Sequence, residues 1–263
     1  MRPPVSTAER STARAHAIEL RDITKSFGHI QALRGATLQI RAGEVLAVVG
    51  DNGAGKSTLM KALSGNVVPT SGEIVIDGAS AEIASVADAQ RRGIFTVYQD
   101  LAQAPDLSAL ENVFLGREQL LGGIGRRIGL LARGEMRRRA EQALDDLGVT
   151  IPSVSRPVRD LSGGQRQAVA IARAVMWATT AVVMDEPTAA LGARQTAIVY
   201  DTIKATAARG LAVVVVSHDI PNIVSLADRI AIMRHGRVLV TLESEKTNVD
   251  EVLRLMLGAE VTQ

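Results

Sequence analysis

Nine consecutive residues of the chain have the composition and spacing of a phosphate-binding loop. They fit the pattern G-x-x-x-x-G-K-[S/T] and are Gly50, Asp51, Asn52, Gly53, Ala54, Gly55, Lys56, Ser57 and Thr58. The glycines let the backbone turn tightly, so that successive N–H groups form a cradle for a polyphosphate. We expect Lys56 to reach the β- and γ-phosphates and the Ser57 hydroxyl to bind Mg²⁺. A glycine-rich turn without a ligand is the simpler alternative, but a strand-like run before the loop and a helix-like run after it favour phosphate binding.

Two carboxylates and a histidine follow apolar runs that have the length of buried strands. The run at 181–184 ends in Asp185 and Glu186, and the run at 211–216 precedes His218. Ligands of open parallel sheets gather where the strands end, so these side chains should face the phosphate loop. Asp185 would bind Mg²⁺, Glu186 would polarise the attacking water, and His218 would contact the γ-phosphate. The alternatives are two solvated acids in a turn and a histidine with a structural role.

A second pair of glycines occurs at 161–165, directly before a helix predicted over 166–175. Its residues Ser162, Gly163, Gly164 and Gln165 combine a hydroxyl with exposed N–H groups and predict a second anion site. This site cannot serve the phosphates of the first loop unless two chains associate. A Ser-Gly-Gly fragment alone is common in linkers, so the prediction depends on the acidic strand downstream.

The strands and loops around these residues follow from hydrophobic periodicity. Alternating residues at 17–23 and 36–40 predict half-buried antiparallel strands, and runs at 73–76 and 94–98 predict two more. Phe27 lies between the first two and is expected on a loop, where its ring could stack on an adenine. Anchoring of that loop is the alternative role of the ring.

Three regions of different character divide the chain. Residues 1–16 carry arginines, serines and prolines and are predicted to be a disordered tail. Residues 17–263 are predicted to form a single domain, within which the pattern becomes helical from about 100 to 160, most clearly at 109–115 and 134–147. We expect this stretch to be an inserted helical lobe.

The composition excludes several classes of protein. A hydrophobic fraction of 46% supports a buried core, whereas a net charge of +2 and an aromatic fraction of 2% argue against a nucleic-acid partner. The chain has no cysteine, which suits a reducing compartment such as the cytoplasm. No apolar run approaches the roughly 18 to 20 residues of a membrane-spanning helix.

An arginine cluster at 133 and 137–139 could indicate a nucleic-acid surface. The same predicted helix carries several acidic residues, namely Glu135, Glu141, Asp145 and Asp146. Opposite charges at helical spacing are typical of a solvated, ion-paired face, and we favour that interpretation.

In their order and spacing, these motifs resemble those of the ATP-binding subunits of ATP-binding cassette (ABC) transporters. Gln99 matches the family's Q-loop, the residues at 161–165 its signature, and His218 its switch histidine. The resemblance implies an α/β phosphate-loop NTPase cassette with a mostly parallel core sheet, an antiparallel β subdomain and an inserted helical subdomain. It implies ATP and Mg²⁺ as cofactors, with Gln99 as a further ligand of Mg²⁺ and Lys56, Glu186 and His218 as catalytic residues.

The resemblance extends to partners and to a subgroup. It implies a head-to-tail homodimer on ATP binding, a permease contacted through the helical subdomain and the Q-loop, and a place at the cytoplasmic face of the inner membrane. Stretches at 51–55, 98–100, 111–118 and 189–196 are similar to importers of simple sugars such as ribose, xylose or fructose, which act with a periplasmic sugar-binding protein. A non-sugar substrate is the alternative. The chain departs from the family pattern at Gly192, where an aspartate is usual.

Overall fold

Two β-sheets form the frame of the molecule in the computed structural model, which describes residues 16–123, 127–189 and 191–258. The strands are β1 (His16–Phe27), β2 (Ile30–Arg41), β3 (Val45–Val49), β4 (Ser71–Ile76), β5 (Ala79–Ser80), β6 (Ile94–Val97), β7 (Ala181–Asp185), β8 (Ala212–Val216), β9 (Arg229–Arg234) and β10 (Arg237–Glu243). The tail predicted at 1–16 lies outside the described residues except for His16, where β1 begins.

The larger sheet has six strands in the order β10-β9-β3-β8-β7-β6. Neighbours from β9 to β6 pair in parallel, and β10 pairs with β9 antiparallel. Every residue of β3 is buried, with Val45, Ala47 and Val49 in one hydrophobic cluster and Leu46 and Val48 in another. Because side chains alternate along a strand, a continuous apolar run is what a sheet covered on both faces requires. The predicted parallel core sheet is confirmed.

The smaller sheet is antiparallel and has the order β2-β1-β4-β5. Its first two strands are longer than predicted, and Phe27 ends β1 instead of lying on a loop. The ladder continues to the pair Phe27 and Ile30, and Gly28, with φ of 56°, turns the chain between them. Backbone hydrogen bonds extend these strands into an exposed region where the hydrophobic pattern gives no signal.

Helices cover the sheets and connect their strands. They are α1 (Lys56–Leu63), α2 (Val86–Arg91), α3 (Ala109–Phe114), α4 (Arg133–Asp145), α5 (Gly163–Trp177), α6 (Ala193–Ala208), α7 (Ile220–Leu226) and α8 (Val249–Met256). Helix α5 begins three residues before its predicted start, and neither α2 nor α6 was among the predicted helices. None of the described helices is long and apolar enough to span a membrane.

The segment between β6 and α5 is helical, as predicted, and contains α3, α4 and a 3-10 turn at Val158–Asp160. Its buried residues, among them Phe114, Met136 and Leu144, belong to the same hydrophobic cluster as α5 and one face of the parallel sheet. The limits of a subdomain at 100–160 remain a prediction.

Three of the four arginines of α4 have separate partners. Arg138 forms an ion pair with Glu135 at 2.7 Å, which confirms the predicted pairing for that residue. Arg137 donates to the hydroxyl of Ser155 at 2.7 Å. The guanidinium of Arg139 lies 5.5 Å from the ring centroid of Trp177.

Candidate functional site

The ends of four neighbouring parallel strands carry most of the predicted site residues. In the spatial order β3, β8, β7, β6, the strands lead into the phosphate loop, His218, the pair Asp185 and Glu186, and Gln99. Parallel strands present their carboxyl ends at one edge of a sheet, where ligands of such folds bind. Residues that are far apart in the sequence therefore share one edge.

The phosphate loop needs glycine at particular positions. Gly50 has φ of 153°, and a Cβ there would lie 2.2 Å from the carbonyl oxygen of Met233. Gly55 has φ of 104°, and its Cβ would lie 2.8 Å from the carbonyl oxygen of Ala32. Gly53 has φ of 82°, with no atom within 4 Å of the same position. Gly50 and Gly55 are required because a side chain would clash with neighbouring backbone. Gly53 is favoured only because of its left-handed backbone conformation.

The loop has the free donors that a phosphate cradle requires. No hydrogen bond within the described parts of the chain uses the backbone N–H of Gly53, Gly55, Lys56, Ser57 or Thr58. The last three belong to the first turn of α1, whose N-cap, Gly55, has no side chain to satisfy them. Free N–H groups and the positive end of the helix dipole together favour an anion at this place.

Lys56 is folded over the same loop. Its ammonium donates to the carbonyl oxygens of Gly50 at 2.6 Å and Asp51 at 3.0 Å, and the residue is buried. Burial lowers the pKa of Lys56, against the opposing effect of the carboxylates of Glu186, Asp51 and Asp185. The two carbonyl oxygens are neutral acceptors, and a charged phosphate oxygen would form a stronger hydrogen bond with the buried Lys56 ammonium.

Glu186 and His218 are in direct contact. The pairing of Asp185 with Val216 sets the ends of β7 and β8 side by side, and the His218 Nε2 lies 2.7 Å from the Glu186 Oε1. Glu186 has φ of 51°, in the left-handed region that residues other than glycine rarely adopt. Strain of this kind persists where the surroundings hold it, and it is common at functional sites.

Asp185 lies at the last position of β7. Burial raises the pKa of its carboxyl group, and the nearby charge of Glu186 adds to the effect, while Lys61, Lys56 and His218 oppose it. A cation bound at this carboxylate would offset the electrostatic penalty of burial. No group of three or more histidine, aspartate or glutamate residues suited to a metal occurs within the described ranges.

The signature residues form the first turn of α5. Ser162 is the N-cap: its hydroxyl accepts from the N–H of Gln165 at 3.3 Å, and the side-chain oxygen of Gln165 accepts from the N–H of Ser162 at 3.1 Å. This capping box satisfies both end residues. A Cβ on Gly163 would approach the Leu191 side chain to 3.0 Å, and one on Gly164 would approach that of Gln195 to 3.0 Å. The glycines therefore allow the start of α5 to pack against Leu191 and the first turn of α6.

Gln99 and Phe27 make few contacts. Gln99 is exposed and forms no hydrogen bond within the part of the chain that the structure describes. Phe27 is 50% exposed, and the ammonium of Lys25 lies 5.3 Å from its ring centroid. The binding of Mg²⁺ by Gln99 and the stacking of Phe27 on adenine therefore stay predictions.

An aromatic cavity, which the sequence reasoning missed, lies beside the Q-loop. Four of the chain's six aromatic residues, Phe95, Tyr98, Phe114 and Trp177, lie at or next to this cavity of about 180 Å³. The guanidinium of Arg117 lies 4.9 Å from the ring centroid of Phe95 and 5.1 Å from that of Trp177. These residues come from β6 and the residue after it, from α3 and the loop that follows it, and from α5, so no local sequence pattern links them.

Comparisons with known proteins agree with this geometry. The family model described as ABC transporter matches residues 33–189. The fructose import ATP-binding protein FrcA of Rhizobium meliloti is 43% identical over 242 residues, covering 91% of this chain and 93% of that protein. The xylose/arabinose import ATP-binding protein XylG of Sulfolobus acidocaldarius is 41% identical over 239 residues, with coverage of 91% and 93%. The dimeric structure of the ATP-binding cassette MJ0796 bound to ADP and Pi is similar with a TM-score of 0.69 and 30% identity, covering 86% of this chain and 98% of that one.

Proposed function

Because this chain belongs to the ABC transporter family, as one of its ATPases, we propose that it couples ATP binding and hydrolysis to the import of a monosaccharide through a separate permease. The substrate class rests on one observation: over nine-tenths of its length the chain is similar to proteins named for the import of fructose and of xylose and arabinose. A fructose-like or ribose-like sugar is the proposed cargo. No residue described above selects it.

In the proposed site, residues 50–58 hold the phosphates of ATP through their free N–H groups, and Lys56 turns from its carbonyl acceptors to the β- and γ-phosphates. Mg²⁺ would be held by Ser57, Gln99 and Asp185, and when bound it neutralises charge on the phosphates. A hydroxyl, an amide and a carboxylate are oxygen donors of the kind that Mg²⁺ prefers, and sites of this type use one or two carboxylates together with phosphates. Phe27 is proposed to stack on the adenine.

Glu186 is proposed as the general base and His218 as its partner. The 2.7 Å contact supports this assignment, because the imidazole can orient the carboxylate that accepts a proton from the attacking water. The left-handed backbone of Glu186, with φ of 51°, is a further feature typical of functional sites.

The proposed active form is a head-to-tail homodimer, in which Ser162, Gly163, Gly164 and Gln165 of one chain meet the ATP bound by its partner. Each chain carries both halves of a site, so the two ATP sites are equivalent. The dimeric state of the similar cassette MJ0796 supports association.

The permease is proposed to dock at the aromatic cavity beside Gln99. Exposed Leu115 and the stacked Arg117 at its rim offer an apolar and cationic surface next to the Q-loop. The subunit would then lie at the cytoplasmic face of the inner membrane, with a periplasmic sugar-binding protein as an indirect partner and no role for nucleic acid.

Two variants test the ATPase assignments. Lys56→Ala should abolish nucleotide binding or turnover, and Glu186→Gln should retain Mg-ATP binding while hydrolysis falls by about 10² to 10⁴-fold. Asp77→Asn, in the exposed turn after β4, is the matched control and should behave as wild type. Unchanged turnover in Glu186→Gln would contradict its role as the base.

Uptake measurements test the substrate class separately. A deletion strain should lose high-affinity uptake of at least one labelled monosaccharide from a panel of pentoses and hexoses, and the gene for the Glu186→Gln variant should not restore it. Normal uptake of the whole panel would refute sugar import and leave the ATPase assignment standing.

A further inference from the structure

The segment directly after Gln99 is fastened to helix α5 by one arginine. The two terminal nitrogens of Arg173 donate to consecutive carbonyl oxygens, those of Ala102 at 2.9 Å and Leu101 at 3.0 Å. The guanidinium presents its two terminal nitrogens in a rigid, planar fork, whereas a lysine would have to hold both acceptors with one nitrogen on a more flexible chain. Arginine is therefore the side chain that holds these two carbonyls most rigidly.

The two carbonyls belong to a backbone that needs external support. Leu101 has φ of 59° and Ala102 has φ of 43°, both in the left-handed region and neither a glycine. Such conformations persist only where neighbouring groups hold them. The N–H of Leu101 closes a turn on the carbonyl of Tyr98 at 3.0 Å, so Gln99 lies inside the turn that Arg173 supports.

A second contact ties the same segment to the same helix. The amide nitrogen of Gln103 donates to the carbonyl oxygen of Arg166 in the first turns of α5 at 2.8 Å. Arg173 itself is partly buried, and burial lowers its pKa. Within the described ranges Arg173 has no carboxylate partner, so these carbonyl oxygens are the acceptors that stabilise its partly buried charge. Helix α5 and residues 101–103 thus form one hydrogen-bonded unit.

Helix α5 also begins with the signature residues, so the same rigid 15-residue element carries Ser162 at its start and holds the Q-loop in its third turn. We infer that Arg173 is a positioning residue for Gln99. The position of Gln99 at the ATP site then depends on the position of helix α5. This inference rests on the proposed role of Gln99. A shift of α5 when Ser162 engages the partner's ATP would thereby reach the Mg²⁺ site of the same chain.

Kinetics of three full-length variants test the inference. Arg173→Ala should lower kcat for ATP hydrolysis about 10-fold or more, as loss of a positioning partner typically does, with KM for ATP unchanged. Arg173→Lys should recover little of the loss, because it restores the charge without the fork. Arg138→Ala, which removes an exposed arginine with a local partner, should keep wild-type kcat. A wild-type kcat in Arg173→Ala, or full recovery by lysine, overturns the inference.

A double-mutant cycle separates positioning from general damage. If Arg173 acts through Gln99, adding Arg173→Ala to Gln99→Ala should leave kcat within about twofold of the single Gln99 variant. If the double variant instead loses kcat by the product of the two single losses, Arg173 stabilises the fold without positioning Gln99, and the inference is overturned. A Gln99→Ala variant with wild-type kcat would refute the role of Gln99 and this inference together, while the result for Lys56→Ala would still decide the phosphate loop.

Discussion

The phosphate loop and the signature both place glycines at the start of a helix, but a side chain caps only the second of these helices. Helix α1 follows Gly55, which adopts φ of 104° and supplies no capping side chain. Helix α5 follows Ser162, whose capping box with Gln165 is complete within the single chain. In α5 the N–H groups of Gly163 and Gly164 are the ones that donate no hydrogen bond to a described residue.

In the proposed head-to-tail dimer, this difference distinguishes the half-site that binds ATP within one chain from the half-site that contacts the ATP of the partner. In the first turn of α1, the N–H groups of all three residues are free beside the Lys56 ammonium, and this arrangement favours an anion. In the first turn of α5, the Ser162 cap fixes the N–H of Gln165 and leaves the N–H groups of the two glycines as the free donors. The first two of four predictions test this comparison, and the other two test a buried carboxylate beside the loop and a third helix start, in order of decreasing expected effect.

Gly50→Ala should abolish nucleotide binding and lower the melting temperature. The added methyl group would lie 2.2 Å from the carbonyl oxygen of Met233, and overpacking of this kind typically costs about 1 to 3 kcal/mol. Gly53→Ala is the control, since its Cβ meets no atom within 4 Å and only its φ of 82° opposes the change. Equal losses in both variants would show that backbone conformation, not the fit against Met233, limits the loop. Isothermal titration with ATP and thermal unfolding give both readouts.

Ser162→Asp should separate the two roles of the signature serine. Aspartate caps helices as well as serine does, so thermal stability should be retained, whereas its charge should repel the partner's ATP and reduce hydrolysis. Ser162→Ala should lose about 1 kcal/mol of stability through the missing cap. Wild-type ATPase activity in Ser162→Asp would argue against contact between the signature and ATP.

Asp185→Asn should stabilise the protein in the absence of nucleotide and in the presence of a metal chelator. Burial raises the pKa of the Asp185 carboxyl, so the folded protein binds a proton more readily than the unfolded chain. The resulting loss of stability is absent below the unfolded pKa of about 3.9 and grows as the pH rises through the folded pKa. The gain in melting temperature from asparagine should therefore be full at neutral pH and shrink toward pH 4. A gain that does not depend on pH would contradict this cause.

Gly192→Asp should give a small gain in stability. Gly192 is the N-cap of α6, with φ of −74° and ψ of 162°, and has no side chain to bond the first turn. A Cβ at this position meets no atom within 4 Å, so a capping aspartate fits and should add roughly a few tenths of a kcal/mol. Gly192→Ala is the matched control: alanine fits equally but cannot cap, and it should not stabilise. Chemical denaturation of the two variants measures the difference.

Local chemistry made much of the fold predictable. The apolar runs at β3, β7 and β8 predicted buried parallel strands because a sheet covered on both faces needs hydrophobic side chains at every position. The phosphate loop was predictable because glycine, lysine and serine at that spacing have few other uses. The roles of the individual site residues are still predictions.

The sequence-based predictions were wrong or incomplete where tertiary contacts determine the local structure. Phe27 was predicted on a loop, yet the ladder between β1 and β2 extends to it and ends at its pair with Ile30. The start of α5 was predicted at 166, three residues too late, because glycine has a low helix propensity and only the close packing against Leu191 and Gln195 explains glycine at 163 and 164. The cavity lined by Phe95, Tyr98 and Trp177 could not be predicted, because no single segment of the sequence contains a pattern that indicates it.

By itself, the sequence determined the chemical groups of the site and the type of strand or helix that carries each one. It did not determine the order of the strands. The chain makes β3, β6, β7 and β8 in that sequence, but the sheet arranges them as β3-β8-β7-β6. Only that arrangement brings His218 within 2.7 Å of Glu186, because it makes β8 the neighbour of β7. Strand order depends on which faces pack together across the whole core, and no local pattern of residues contains that information.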